Sequence, residues 1–129
     1  MKKLSMLVVH IFLLSMVGFS LQGCSSEDPA IERIKSGKFN DCDKATIDDL
    51  TDNFFASPSW VRIVATDGRN YVNLTGEMTY DEVPVDALVQ FTAPMYDNAG
   101  FEINAFEMND LPQNAFMIGA LVTAMCDEY

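Results

Sequence analysis

Histidine and basic residues are scarce in this chain of 129 residues. Its one histidine, His10, lies in an apolar N-terminal stretch, so the rest of the chain has no imidazole for acid–base catalysis or metal binding. There are 8 basic and 19 acidic residues, a formal charge of −11. Nucleic acids need clustered Lys and Arg, so we expect no nucleic-acid partner. A glycine-rich phosphate loop is also absent, and the sequence predicts no cofactor, no metal and no enzymatic activity.

Residues 1–23 have the layout of a secretory signal peptide. Lys2 and Lys3 precede an apolar segment, residues 4–21. An uncleaved membrane anchor is one alternative, because this segment is long enough to cross about 27 Å of hydrocarbon. An ordinarily cleaved signal is the other. The residues at the end of the segment favour a third interpretation.

The sequence Leu21-Gln22-Gly23-Cys24 resembles the bacterial lipobox, although a small or branched residue is more usual at Gln22. The resemblance implies that Cys24 carries a diacylglyceryl thioether and an acylated amine, with acyl chains such as palmitate. Several acyl chains together hold a protein stably on a membrane, whereas one does not. The thiol of Cys24 is therefore expected to serve as a lipid anchor.

The domain organisation follows from this interpretation. We predict a signal peptide at residues 1–23, a lipidated tether at residues 24–30 and a single domain at residues 31–129. Ser25 resembles the residue that directs lipoproteins to the outer membrane in Gram-negative bacteria. The predicted location is the cell envelope, on the outer membrane facing the periplasm in such a host.

Removal of residues 1–23 leaves 106 residues, enough for one small domain. These include six basic and nineteen acidic residues, a formal charge of −13. Cys42 and Cys126 are expected to pair, because exported thiols tend to form disulfides. Free thiols are the alternative. Closing so long a loop stabilises the fold by about 4–5 kcal/mol in the chain-entropy description.

Two short helices are predicted before the first strand. Asp28 is a suitable N-cap for a helix that begins at Pro29 and stops at Gly37. Thr46 and Asp49 form a capping box for a second helix. Pro58 disfavours helical geometry in the residue before it, so this helix should stop at Ser57.

Hydrophobic alternation then predicts four strands. The segments are residues 60–66, 71–80, 85–91 and 101–108, joined by short connections, and the side chains of Val72 and Leu74 point inward. Such a four-stranded antiparallel meander needs a helical cover on its one buried face. The segment from Pro112 onward supplies a C-terminal helix. The predicted fold class is α+β, with N-terminal helices and a C-terminal helix packed on one sheet face.

The last helix is unusually apolar. Between residues 115 and 126 only Gly119 and Thr123 interrupt the apolar run, which is too short to span a bilayer. One interpretation is a central helix, enclosed by the sheet on one side and the two earlier helices on the other. The other is that part of the helix forms a homodimer seam or a partner-binding surface.

Several segments resemble a family of small, largely uncharacterised bacterial lipoprotein and extracytoplasmic domains. They are TIDDLTDNFFASPSW, YVNLTG, ALVQF and FEINAFEMNDLPQNAFMI, and the resemblance covers roughly residues 30–125. It implies the helix, sheet and C-terminal helix arrangement but brings no catalytic residues with it. The apolar final helix and the two cysteines depart from the family pattern.

The solvent face of the sheet is the main candidate binding site. Its polar residues are Asn73, Thr75, Glu77, Asp86, Gln90, Glu102 and Asn104. Trp60 or Arg62 is expected at its rim, and a merely solvated face is the alternative.

Two groups of acidic residues have the residue types of a metal site or a catalytic site. The aspartates 41, 43, 48 and 49 are candidates for a calcium site, but they lack EF-hand spacing, so helix capping and solvation explain them better. Glu77, Glu102 and Glu107 are candidates for glycosidase chemistry, which needs two carboxylates at a fixed separation, but strand carboxylates usually serve solubility.

These features predict a membrane-anchored, non-enzymatic binding module in the cell envelope. The strong negative charge favours a basic protein partner, because opposite charge steers association. The alternative is a small-ligand-binding or enzymatic domain with a pocket between the sheet and the helices.

Overall fold

The computed structural model describes residues 27–129, so the predicted signal peptide and Cys24 lie outside the described residues. The elements are α1 (Pro29–Ser36), α2 (Ile47–Phe54), β1 (Ala56–Val64), β2 (Asn70–Tyr80), β3 (Val83–Thr92), β4 (Ile103–Met108), β5 (Leu111–Pro112) and α3 (Ala115–Glu128). The five strands form one antiparallel sheet in sequence order. The α+β class is confirmed, with five strands where four were predicted.

Both N-terminal helices begin where their capping residues predict. The Asp28 carboxylate accepts a hydrogen bond from the backbone N–H of Ala30 at 2.9 Å. The Thr46 hydroxyl accepts one from the N–H of Asp49 at 3.2 Å. Helix α2 ends at Phe54, earlier than predicted, because the chain is already extended at its C-cap, Phe55. Ala30 is helical and buried, so the folded domain starts before residue 31.

Two tight turns shape the sheet. Asp81 and Glu82 join β2 to β3 with φ of 51° and 64°, and Asn109 and Asp110 join β4 to β5 with φ of 49° and 65°. Positive φ at both central residues is typical of type I′ turns, whose twist matches that of the strands. The second turn folds β5 back onto β4, and β5 is too short to show an alternation in the sequence. Pro112 therefore lies in β5, and Asn114 is the N-cap of α3.

The inner face of the sheet holds the hydrophobic core. Alternation is confirmed on β2 and β3, where these inward residues are buried: Val72, Leu74, Val85, Ala87, Val89 and Phe91. Ile34 of α1 and Leu50 of α2 belong to the same core. Trp60 pairs with Leu74, and its ring stacks on Phe91 with 5.7 Å between centroids. Trp60 is thus an inner-face residue and not part of the rim of the solvent face.

Helix α3 lies at the edge of the helical layer. Only Leu121 and Met125 of this helix are buried, whereas Gly119 and Thr123 are exposed and Phe116 retains 80% of its accessible surface. Helix α1 contacts α2 and β1, while α3 contacts α2 and β4, so the helices lie side by side. The prediction of an enclosed central helix is therefore wrong. A homodimer through this helix stays a prediction.

A disulfide joins Cys42 to Cys126, as predicted. Their Cα atoms are 5.9 Å apart, and the two residues are separated by 84 positions in the sequence. The bond connects the loop before α2 to the last turn of α3, so it links the first and last parts of the domain. Within residues 27–129, no helix is both long and apolar enough to cross a bilayer.

Candidate binding face

The three helices pack on the inner face of the sheet, which leaves the opposite face without a helical cover in the described part of the chain. We call this opposite side the outer face. The strand register places these side chains on it: Val61, Ile63, Tyr71, Asn73, Thr75, Glu77, Asp86, Leu88, Gln90, Asn104, Ala105 and Glu107. The outer face thus combines apolar, amide and acidic groups.

A row of three side-chain amides crosses the middle of the outer face. Asn104 donates from Nδ2 to Oε1 of Gln90 at 2.7 Å, and Gln90 donates from Nε2 to Oδ1 of Asn73 at 3.1 Å. The register of β3 and β4 shifts at this point, and the shift brings Asn104 to the row. The Asn73 amide N–H groups and the Asn104 carbonyl oxygen have no further partner among the described residues. The row can therefore donate at one end and accept at the other.

Three carboxylates lie at one end of the outer face. Glu77 is directly opposite Asp86, and Glu107 is opposite Leu88 and therefore diagonal to Asp86. Like charges directly opposite each other, as in Glu77 and Asp86, destabilise a sheet. Among residues 27–129, no basic side chain forms a salt bridge with any of the three. We call Glu77, Asp86 and Glu107 the acidic end.

A depression adjoins the acidic end. Strand β1 bulges between Ala56 and Ser59, where Ser57 has a φ of 51°. The bulge opens a depression of about 450 Å³ that is bordered by Ser57, Thr75 and the two opposed carboxylates, Glu77 and Asp86. It offers oxygen acceptors and room for a basic side chain.

The basic side chains of the described chain all lie elsewhere. They are Arg33 and Lys35 on α1, Lys38 and Lys44 in the loop after α1, Arg62 in the inner row of β1, and Arg69 in the β1–β2 turn. Four of the six are committed to nearby carboxylates. Burial disfavours the charge of Lys35, but Glu27 and Asp48 outweigh it and raise its pKa above the usual value. The outer face carries negative charge without any local counterion from these six residues.

An apolar margin borders the amide row. Val61 and Ile63 lie on the edge strand β1, Tyr71 follows on β2, and Leu88 on β3 separates the amides from the acidic end. Val61 retains 53% of its accessible surface, and the other three are half-buried. These side chains can exclude water from the polar contacts of a bound molecule.

The structure brings most of the predicted binding residues together. Asn73, Gln90 and Asn104 form the amide row, and Thr75 and Glu77 follow Asn73 along β2. Glu102 lies apart, because its N–H donates to the Thr92 hydroxyl at 3.0 Å, at the far end of the sheet. Arg62 bonds to Asp28 on the helical side, so it does not border the outer face.

The strand spacing also separates two of the three candidate catalytic carboxylates, Glu77 and Glu102. Glu77 lies opposite Asp86 and Glu102 lies beside Thr92, six residues further along β3. At a rise of about 3.3 Å per residue, the two rows are about 20 Å apart. A glycosidase pair needs less than about 10 Å, so Glu77 and Glu102 do not form one.

Glu107 completes the acidic end and was not among the predicted binding residues, whereas Asp86 was predicted on this face. A signal for Asp86 was present in the sequence. A two-residue turn at Asp81 and Glu82 fixes the register and places Glu77 opposite Asp86. The position of Glu107 depends on the register between β3 and β4, which shifts beside Gln90. The residue opposite Glu107 therefore could not be found by counting from a turn.

The aspartates 41, 43, 48 and 49 do not assemble a metal site in the described residues. Asp48 lies 3.6 Å from the Lys35 ammonium, and the backbone of Asp49 is capped by Thr46. Between residues 27 and 129, no group of three or more His, Cys, Asp or Glu side chains is arranged to hold a metal ion.

No protein family model matches this chain, and neither a curated protein nor a solved structure matches it. The resemblance to small lipoprotein domains stays a prediction. The function is therefore inferred from the geometry of the outer face.

Proposed function

We propose that this protein is a membrane-anchored, non-enzymatic binding module of the bacterial cell envelope. In this proposal Cys24 carries the lipid, and the outer face binds a basic protein. The observation that carries the proposal is the acidic end, where three carboxylates share one sheet face without a basic neighbour.

The electrostatics of the outer face support a basic partner. The opposition of Glu77 and Asp86 costs the isolated domain some stability, because like charges face each other across two strands. A lysine or arginine of the partner would relieve this repulsion in the depression beside them. The formal charge of −13 after signal removal would also speed the encounter at low ionic strength.

The short connection to the anchor supports a function at the membrane surface. Glu27 already contacts Lys35 of α1, at 3.1 Å, so the folded domain begins at about residue 27. Three peptide units separate Cys24 from Glu27 and span at most about 11 Å. An anchored domain would therefore meet its partner close to the lipid headgroups.

The experiment is photo-cross-linking in living cells with the full chain. A photoreactive residue at Thr75, on the outer face, should give a covalent adduct with a basic protein. The same residue at Asp52, which is exposed on α2, should give none. Mass spectrometry of the adduct then names the partner, and its affinity can be measured with purified protein.

Charge-matched variants test the mechanism. The triple variant E77Q/D86N/E107Q should weaken binding about 3-fold to 100-fold, since exposed ion pairs contribute about 0.2–1 kcal/mol each. The control D43N/D52N/D127N removes the same net charge from exposed positions off the outer face and should bind nearly as the natural protein does. Equal loss in both variants, or equal adducts from Thr75 and Asp52, would contradict the proposed face.

A further inference from the structure

Strand β1 is an edge of the sheet, with β2 as its one partner strand in the described part of the chain. Just beyond β1, the N–H of Ala65 donates to the carbonyl oxygen of Arg69 at 2.8 Å and is thus directed toward the β2 side. In an antiparallel pair this direction alternates from one residue to the next. We call the backbone groups that point away from β2 the free edge, and they belong to Trp60, Arg62 and Val64.

The free edge is open to pairing. Among the described residues, no backbone group outside the sheet bonds to the N–H or carbonyl groups of the free edge. Val64 retains 64% of its accessible surface, and the neighbouring Val61 retains 53%. An exposed edge of this kind is a template for another extended chain.

Most of β1 lacks the features that usually protect an edge. Proteins block such edges with charged side chains, prolines or bulges. In β1 a bulge and Pro58 block one end of the strand. Over residues 59–64 the one charged side chain is that of Arg62, and it is bonded to Asp28 on the helical side. Residues 59–64 are therefore left free to pair.

The charges near the free edge favour a basic occupant. The depression at the acidic end is bordered by Ser57 of β1, so it lies at the bulged end of the same strand. Glu77 is opposite Ala56, and a strand added to β1 would lie two strand spacings, about 10 Å, from β2. A long basic side chain on the added strand could therefore meet the Glu77 carboxylate. A second copy of this chain is disfavoured, because both copies would carry the same strong negative charge.

The outer face also defines the sequence pattern of the occupant. Side chains of an added strand alternate between the two faces of the sheet. Those on the outer face would lie beside Val61 and Ile63 and, further along, beside the depression. In antiparallel pairing the C-terminal end of the added strand lies nearest the depression. The fitting segment thus has apolar residues at alternate positions, with a lysine or arginine two positions after the last of them.

We propose that the free edge of β1 pairs with an extended segment of the basic partner, which becomes a sixth strand of the sheet. This inference rests on the function proposed for the outer face and specifies how the partner is bound. The backbone of the segment bonds to the free edge. Its apolar side chains cover Val61 and Ile63, and its basic side chain enters the depression at the acidic end.

Proline at Val64 tests this pairing in living cells. Val64→Pro removes one N–H of the free edge but no bond to β2, because edge strands tolerate proline where the N–H faces solvent. It should lower the yield of the Thr75 photo-cross-linking adduct about 2-fold to 10-fold, as expected for the loss of one hydrogen bond. Val64→Thr keeps the N–H and should retain the adduct.

A model peptide tests the pairing directly, by NMR of the full chain in lipid nanodiscs. The probe is acetyl-TVTVTR-amide, and its control is the same peptide N-methylated at every residue, which cannot donate backbone hydrogen bonds. When nine-tenths of the protein is bound, exchange of the free-edge N–H groups with water should slow about tenfold. The N–H groups of Val61 and Ile63 already bond to β2, so their exchange should slow less.

The last residue of the peptide tests the basic position. Acetyl-TVTVTR-amide should bind about 1.5-fold to 5-fold more tightly than acetyl-TVTVTQ-amide, as expected for an exposed ion pair, and acetyl-TVTVTE-amide should bind most weakly. E77Q/D86N should abolish the difference between the first two peptides. The control D43N/D52N removes the same charge from exposed positions off the outer face and should retain the difference.

Three results would overturn the inference. They are equal slowing of exchange by the natural and N-methylated peptides, unchanged free-edge exchange at millimolar peptide, and free-edge protection that rises with protein concentration without peptide. The last result would show that a second copy occupies the edge. If Val64→Pro disturbs the fold, seen as lost protection of the buried Val72, the peptide comparisons decide alone.

The cellular experiment separates this inference from the proposed function. A Thr75 adduct that is unaffected by a folded Val64→Pro variant would overturn the edge pairing and leave the proposed function standing. Absence of the Thr75 adduct from the natural protein would contradict the proposed function, and the peptide measurements would then decide on the free edge.

Discussion

At the residue scale, Asp28 performs two functions with one carboxylate. One oxygen caps α1 through the Ala30 N–H, and the other accepts a hydrogen bond from Arg62 Nε at 2.7 Å. Burial opposes the charged form, but the bonds from Arg62 and the backbone outweigh it and lower the pKa of Asp28 below 3.8. The cap was evident in the sequence. The Arg62 contact was not, because it joins residues 34 positions apart.

The lowered pKa gives a pH-dependent prediction. Asp28→Asn retains the cap and removes the ion pair, so it should destabilise the domain by less than about 1 kcal/mol at neutral pH. The natural carboxylate contributes fully above its unfolded pKa and loses its contribution as the pH falls below 3.8 and through the lower folded value. The difference between variant and natural protein should therefore shrink in acid.

Urea unfolding at neutral pH and at pH values below 3.8 measures this effect. Asp52→Asn serves as the control, because Asp52 is exposed and forms no salt bridge with a described basic residue. A difference for Asp28→Asn that persists unchanged in acid would show that the ion pair is not its cause.

Gly76 illustrates what a sequence does not reveal at this scale. It reads as an unfavourable residue in the middle of a strand, yet a Cβ at this position would lie 2.8 Å from the Cβ of Phe55. The close approach of β2 to the chain leaving α2 explains the glycine. This contact exists only after the helices have packed on the sheet.

At the element scale, the helices and strands were partly predictable from the sequence. Capping residues and strand alternation indicated the existence and order of α1, α2 and the first four strands. The boundary between α2 and β1 was wrong, because β1 begins at Ala56, within the segment predicted as the end of the helix. The fifth strand and the position of α3 were missed. The strand is two residues long, and an apolar helix indicates burial without indicating which neighbour provides it. Two helices already contact β1, so α3 packs beside α2 and over β4.

The β2–β3 turn yields a prediction at this scale. Glu82 adopts a φ of 64°, which costs a non-glycine residue about 1 kcal/mol or more. Glu82→Gly should therefore stabilise the domain by about 0.5–1 kcal/mol and raise its melting temperature by several degrees. Thermal unfolding followed by circular dichroism gives the measurement.

Thr79→Gly is the matched control for that change. Thr79 lies in the same hairpin but within the extended part of β2, where glycine costs about 0.5–1 kcal/mol. The two glycine variants should thus shift the melting temperature in opposite directions. A decrease for both would mean that the turn is not strained by Glu82.

At the scale of the whole molecule, the disulfide is the main covalent constraint on the described domain. It closes a loop of 84 residues in a small fold, and the chain-entropy description assigns it about 4–5 kcal/mol. The variant C42A/C126A should lose about this amount of stability. Urea unfolding of the natural protein with and without reductant should give a similar difference, whereas a loss below about 1 kcal/mol in both comparisons would contradict the prediction.

The pairing itself was predicted from cysteine number and expected compartment, whereas the outer face required the structure. Alternation showed which residues of β2 and β3 face solvent. It did not show that the basic side chains of the described chain lie off this face, because their placement depends on the packing of α1 and on the inward position of Arg62. Charge segregation is a property of the assembled domain.

The span of the disulfide also orders events during biosynthesis. Cys126 follows Cys42 by 84 positions, so Cys42 emerges long before its proper partner. The cysteine nearest to Cys42 in the sequence is Cys24. An unmodified Cys24 would be the first thiol available to Cys42 for a wrong pairing. In the proposed lipoprotein, the acyl group on Cys24 acts as a protecting group, because it blocks the Cys24 thiol. Cys42 then stays unpaired until Cys126, in the last turn of α3, becomes available.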